Sequence, residues 1–172
     1  MANAFIIHGS YGGPYDNWQP WLKYNLEELG MKVYVPQFPL REEQNLANWL
    51  KTFAQYLPLL DSESIIIGHS LGPAFILNLL ESQKVRIRAA FLVAPFTNAL
   101  NLPKFDEVNA SFTEKGFDWE RIRSACGKFY VYSSDHDPYV PLEKGKFVAE
   151  KLNAEFRLIH NAGHINAAAG YT

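Results

Sequence analysis

A single cysteine, Cys126, stands in a chain of 172 residues. It excludes an intrachain disulfide and a cysteine-based zinc site, and it makes a reducing, cytoplasmic setting the expectation. A basic surplus is also missing, since sixteen Lys and Arg face eighteen Asp and Glu for a net charge of −2. Proteins that live on nucleic acid need cations for the phosphates, so no nucleic-acid partner is expected. No apolar run approaches the ~20 residues of a membrane span. The opening stretch MANAFIIHG lacks the basic and small-residue flanks of a signal peptide, so no membrane association is expected. Repeats and low-complexity tracts are absent. So are G-K-[ST], G-x-G-x-x-G and H-E-x-x-H, and with them the common patterns for nucleotide phosphates, dinucleotides and catalytic zinc. No cofactor and no metal are expected.

What is present is an ordinary globular composition, 48% hydrophobic and 20% charged, with an aromatic share of 15%. The length fits one domain over residues 1–172. Apolar strand-like runs alternate with helical patterns. Ala4–His8, Val33–Val35, Ser64–Gly68, Ala89–Ala94, Phe129–Ser133 and Phe156–His160 read as strands, and the continuous SIIIG run marks a strand buried on both faces. Trp18, Trp21, Leu22, Leu26 and Leu29 space a helix that Asn17 can cap and Gly30 can end. Leu46 to Leu57, Ala74–Leu80 and Pro141 to Leu152 give three more, with Asn153 closing the last. The crossovers are long enough for helices. The pattern therefore predicts an α/β three-layer sandwich, with a mainly parallel sheet of about six strands and helices on both faces. Phe96–Ala125 is irregular, with one short helix near Trp119–Ser124, and is the only segment long enough to cover a site.

Gly68-His69-Ser70-Leu71-Gly72 fits G-x-S-x-G between a buried strand and an apolar helix, the setting of a nucleophile elbow. A serine there needs a base, and the base needs a carboxylate. In this architecture they follow the serine in the order acid, then histidine. Asp137, in Asp137-Pro138-Tyr139-Val140-Pro141 past the fifth strand, is the favoured acid, with Asp135 its competitor. His8 and His69 stand on the wrong side in chain order, and His136 is too close to Asp137 to reach back. His160 continues a strand face, which points to a packing role, whereas His164 lies beyond it in a turn loosened by Gly163. Oxyanion donors are expected from the Leu71 amide and from Ser10 or Tyr11 in the loop after strand one. Trp18, Phe96 and Tyr139 are candidate pocket walls, with core packing as the alternative for each.

Taken together, HG-x-x-G-G, GHSLG, SSDHDPYVP and AGHINA resemble the small serine hydrolases of the retinoblastoma-binding protein 9 and YdeN-like family, within the α/β-hydrolase superfamily. The resemblance runs from residue 4 to 170. It implies a compact hydrolase without a large cap, a triad of Ser70, Asp137 and His164, and small-ester substrates. His136 stands where an acidic residue is frequent in the family. Relatives continue through another helical stretch after GHINAAAG, whose absence would leave apolar surface exposed. Cleavage of a small ester, thioester or activated amide through an acyl-enzyme on Ser70 is the leading expectation. A protein-interaction module on the same fold, with a protein partner the residues do not identify, is the alternative.

Overall fold

The computed structural model describes residues 1–172. Strands β1 (Asn3–Ile7), β2 (Lys32–Tyr34), β3 (Ile65–His69), β4 (Ile87–Val93), β5 (Cys126–Ser134) and β6 (Glu155–Ile159) alternate with helices. These are α1 (Gln19–Glu28), α2 (Leu46–Phe53), α3 (Leu71–Ser82), α4 (Pro103–Thr113), α5 (Trp119–Ser124) and α6 (Leu142–Leu152). The sheet order is β2-β1-β3-β4-β5-β6, and every neighbouring pair is parallel. From β1 the chain first steps outward to β2, then returns to lay β3 on the other side of β1. That reversal opens a crevice beyond the carboxyl ends of β1 and β3, where open α/β sheets bind their ligands. The loop Gly9–Gly13 and the Ser70 elbow both leave the sheet there.

The two sheet faces are covered unequally. One packs Phe5, Ile7, Ile66, Ala90, Leu92, Phe129 and Val131 under α2, α3, α5 and α6, forming the main core of 28 buried residues. In α3, every residue from Leu71 to Leu80 is buried, which explains its nearly unbroken apolar sequence. Trp49 stacks on Phe38 at 4.4 Å between centroids and meets Phe75 and Phe112 edge-on, so the aromatic excess is largely spent on packing. The other face carries α1 alone. There Trp18, Trp21, Leu22 and Leu26 meet Ile65, Ile67, Phe91 and Tyr132 across an open apolar groove of about 600 Å³.

Several local expectations shift. Asn17 does not cap α1: it adopts a φ of 52°, outside the extended geometry of an N-cap, and Trp18 takes that position without a side-chain cap, ahead of Pro20 in the first turn. Gly30 does end the helix, with a φ of +82° and its N–H donating to the Glu27 carbonyl at 2.9 Å. Asn153 closes α6 in the left-handed region, at a φ of 52°. The second helix is shorter than its periodicity suggested. It ends at Phe53 and continues as a 3-10 turn, Ala54–Leu59, that contains Pro58. Within Phe96–Ala125 the structure adds α4 to the expected α5. Pro103 starts α4, and the Asp106 carboxylate accepts from the Leu100 and Leu102 amides at 2.6 and 2.9 Å.

Candidate active site

The site begins with a strained turn. β3 runs into Ser70, whose φ of 59° and ψ of −105° lie in a region L-residues avoid. The Ser70 amide donates to the Val93 carbonyl at 2.9 Å, pinning the turn to the end of β4. Close approach on either side explains the flanking glycines. A Cβ on Gly68 would stand 2.8 Å from Gly72 C and Pro73 N, and one on Gly72 would stand 2.6 Å from the Ile7 carbonyl oxygen. The second clash is with backbone of β1, which cannot swing aside. Gly72→Ala is therefore expected to destabilise the protein by about 1–3 kcal/mol, the usual range for overpacking. Gly116→Ala, with no atom within 4 Å of the added carbon, should leave the denaturation midpoint nearly unchanged.

Past β5, Asp137 is held by its own loop. Its Oδ1 accepts from the Tyr139 and Val140 amides at 2.9 and 3.0 Å. Its Oδ2 lies 2.7 Å from His164 Nδ1, and the two side chains are only 2% and 9% exposed. A carboxylate can only accept here, so His164 carries a proton on Nδ1, and in the neutral imidazole Nε2 keeps a free lone pair. His164 and Ser70 line one cavity of about 210 Å³, although no hydrogen bond joins them. Such a bond is commonly long in unliganded enzymes.

A second acid–histidine pair sits nearby. Asp135 Oδ2 is 2.6 Å from His160 Nδ1, and its Oδ1 accepts from the Asn161 amide at 2.8 Å. That amide and then His160 hold the Asp135 carboxyl below the usual range. This pair is exposed, at 29% for Asp135 and 72% for His160, and neither residue lines the Ser70 cavity. The expected packing role for His160 is thus corrected: β6 is an edge strand, and the His160 side chain just past it lies in solvent.

The two early histidines support the loops around the site. His8 Nδ1–H donates to the Gly9 carbonyl at 2.8 Å, and its Nε2 accepts from the Phe38 amide at 3.2 Å. His69 Nε2–H donates to the His164 carbonyl at 2.9 Å, bridging the elbow to the loop of the second histidine. Trp18 packs edge-on against His69 and donates from Nε1 to the Ile165 carbonyl at 2.9 Å. Asn17 Oδ1 accepts from the Ala167 amide at 2.9 Å. Three bonds thus hold a loop that needs holding, because Ile165 is β-branched and sits at a φ of 50°.

Burial, followed by the neighbouring His164 charge, pushes His69 from 6.5 down to about 4. Its folded value lies below its unfolded one, so the unfolded chain takes up the proton first as pH falls. The stability carried by neutral His69 is complete above pH 6.5 and is lost as the pH drops toward 4. His69→Gln should remove up to about 3 kcal/mol of that acid-side loss. Urea titrations of both proteins between pH 7 and 4 check this. Some loss will persist, because burial also lowers His8.

Three of the sequence candidates are not where expected. The Tyr11 amide donates to Gln44 Oε1 at 3.0 Å, so it is already occupied and unsuited to an oxyanion. Phe96 is 1% exposed and belongs to the main core. Trp18 backs the His164 loop and faces the apolar groove, outside the Ser70 cavity. Tyr139 does line that cavity, edge-on to His164 at 5.1 Å. Ser10 lines it too, and neither its amide nor that of Leu71 has a protein acceptor. The remaining wall comes from residues that sequence reasoning missed, among them Gln19, Leu100, Phe105 and Asn109.

Comparison with known proteins adds the family context. A family model described as serine hydrolase matches residues 4–172. The chain is 30% identical over 172 residues to YdeN of Bacillus subtilis (strain 168), covering 98% of this chain and 88% of the relative. It is 27% identical over 166 residues to the serine hydrolase RBBP9 of Rattus norvegicus, covering 95% and 87%. The crystal structure of the B. subtilis ydeN gene product superposes with a TM-score of 0.92 at 28% identity, covering all of this chain and 92% of that one.

Proposed function

The chain belongs to the serine hydrolase family and is an esterase-like hydrolase; from that premise we propose that residues 1–172, acting as one domain, cleave small esters through an acyl-enzyme on Ser70. The observation that carries this reading is the buried His164–Asp137 pair, which opens a bare Nε2 onto the cavity holding the Ser70 hydroxyl. A serine hydroxyl is a poor nucleophile until a base removes its proton. In the proposed sequence, His164 Nε2 takes that proton as Ser70 Oγ attacks the ester carbonyl. Asp137 keeps the imidazole in the productive tautomer and stabilises its cation. The Leu71 and Ser10 amides, both without protein acceptors, supply the donors for the oxyanion. His164 returns the proton to the departing alcohol. Water then repeats the steps in reverse on the acyl group, releasing the acid and restoring Ser70.

An acyl-enzyme that forms faster than it breaks down gives a burst of alcohol equal to the enzyme present. Stopped-flow hydrolysis of p-nitrophenyl acetate is expected to show that burst, or accumulation of an acetylated Ser70 on acid quench. Turnover with neither would make acylation the slow step, and the intermediate is then read from partition: a ratio of methanolysis to hydrolysis that varies among aryl acetates would remove the acyl-enzyme from the account.

Chain length offers a second check. The cavity of about 210 Å³ is small, and it is walled by Leu100 ahead of α4 and by Phe105 within it. A two-carbon acyl group fits, whereas a twelve-carbon chain has to lie outside. kcat/KM for p-nitrophenyl acetate should exceed that for the laurate by about tenfold or more. Equality, or preference for the longer ester, would contradict the assigned pocket.

A further inference from the structure

The walls of the Ser70 cavity are polar where a site for plain alkyl esters would be apolar. Ligand sites are usually lined mainly by apolar and aromatic side chains, with a few placed polar groups. Here only three of thirteen lining residues are hydrophobic, and four carry side-chain amides: Asn17, Gln19, Asn109 and Asn166. Two of the amides have local duties. Asn17 Oδ1 accepts from the Ala167 amide, and Asn166 Oδ1 accepts from the Ala169 amide at 3.2 Å. Gln19 and Asn109 do not complete theirs.

Asn109, on α4, is 2% exposed. Its Oδ1 receives Ser10 Oγ–H at 2.7 Å and Gln44 Nε2–H at 3.2 Å. Gln44 is itself oriented, because its Oε1 is taken by the Tyr11 amide. Donors therefore converge on Oδ1, and Nδ2 is the end left over, a buried donor with no partner. Gln19, at the start of α1, is 1% exposed, and its Oε1 is a buried acceptor with no partner. Two further buried atoms lack partners, Asn78 Oδ1 and Ser133 Oγ, and neither residue lines this cavity. Buried polar groups in folded proteins are paired with few exceptions. Gln19 and Asn109, each with one buried atom lacking a partner, both belong to the wall around the nucleophile.

Charge narrows the class. No Asp, Glu, Lys or Arg lines the cavity, so no carboxylate, ammonium or guanidinium of the protein stands there to pair with a charged substrate. We infer that the enzyme recognises a short, uncharged ester bearing its own hydrogen-bonding group, a hydroxyl or a secondary amide, through Asn109 Nδ2 and Gln19 Oε1. The inference rests on the acyl-enzyme reading of Ser70 and adds the substrate class to it. A site built to hydrogen-bond a substrate group discriminates strongly against the analogue that lacks it, because its own buried groups then stay unpaired.

The test compares methyl esters matched in length, with acid release followed in a pH-stat. The pairs are methyl butanoate with methyl 3-hydroxybutanoate, and methyl pentanoate with methyl N-acetylglycinate. Each kcat/KM is divided by the ester's own rate constant with hydroxide, which removes the activation a polar substituent gives the carbonyl. The polar member of at least one pair is expected to lead by about tenfold or more. Asn109→Leu and Gln19→Met keep side-chain bulk and remove the hydrogen-bonding ends. Because Asn109→Leu also releases Ser10, the polar-to-alkyl ratio is read rather than the rate. That ratio should fall toward one in both variants. A wild-type ratio near one in both pairs, or a ratio that survives in either variant, overturns the inference while leaving the hydrolase reading in place. If no ester of any kind is turned over and Ser70 takes no fluorophosphonate, both fall together.

Discussion

Ser70→Ala is expected to leave a folded protein with essentially no esterase activity. The substitution removes one oxygen from a side chain that has no structural duty: the turn is held by the Ser70 amide on Val93 and by the close packing of Gly68 and Gly72. Alanine inherits the same unfavourable φ of 59°, so the strain is unchanged and the denaturation midpoint should move little. The acyl acceptor, in contrast, is lost outright. Removing the nucleophile of a comparable serine triad lowers kcat by about 10⁶. Against p-nitrophenyl acetate, a residual rate within tenfold of wild type, in protein whose circular dichroism is unchanged, would show that another group carries the acyl transfer.

Exchanging the two aspartates should give unequal results. Asp137→Asn keeps size and shape but offers His164 an amide in place of a carboxylate. The imidazole then loses the acceptor that fixes its tautomer and the charge that supports its cation. The equivalent change in a serine protease lowers kcat by about 10⁴. Asp135→Asn disturbs only the exposed pair with His160 and the Asn161 amide, outside the Ser70 cavity. Its effect should stay within about a few fold, since exposed ion pairs contribute little. The histidines should divide in the same way, with His164→Ala inactive and His160→Ala retaining most of the wild-type rate. An inactive but folded His160→Ala, or Asp135→Asn falling below Asp137→Asn, would transfer the roles to the outer pair.

How much of this was legible in the sequence depended on the scale of the signal. The strands announced themselves because burial on both faces demands uninterrupted β-branched runs, as in Ile65–Ile67. The elbow was legible because a tight strand-to-helix turn leaves room only for glycine at 68 and 72. α4 was harder to see. Its inward positions include Asn109 beside Phe112, so polar recognition interrupts the apolar stripe that would have marked it. Pro103, with Asp106 three residues later, was the available signal of its start. The pocket walls were mostly illegible. Phe96 and Trp18 are aromatic residues near the right loops, but direction decides their roles: one points into the core and the other backs the His164 loop. The Tyr11 amide was excluded only by Gln44, thirty-three residues away in the chain. Contacts that distant follow from tertiary packing and leave no local pattern.

The most direct measurement of the central claim is labelling of the folded protein with a fluorophosphonate, followed by peptide mapping. A triad in working order transfers the phosphonyl group to the activated serine, whereas an unactivated serine hydroxyl stays unmodified. The account predicts one adduct per chain, on the peptide containing Gly68-His69-Ser70-Leu71-Gly72. The rate should fall sharply in His164→Ala and stay near wild type in His160→Ala. No adduct, or an adduct on any residue other than Ser70, would contradict it.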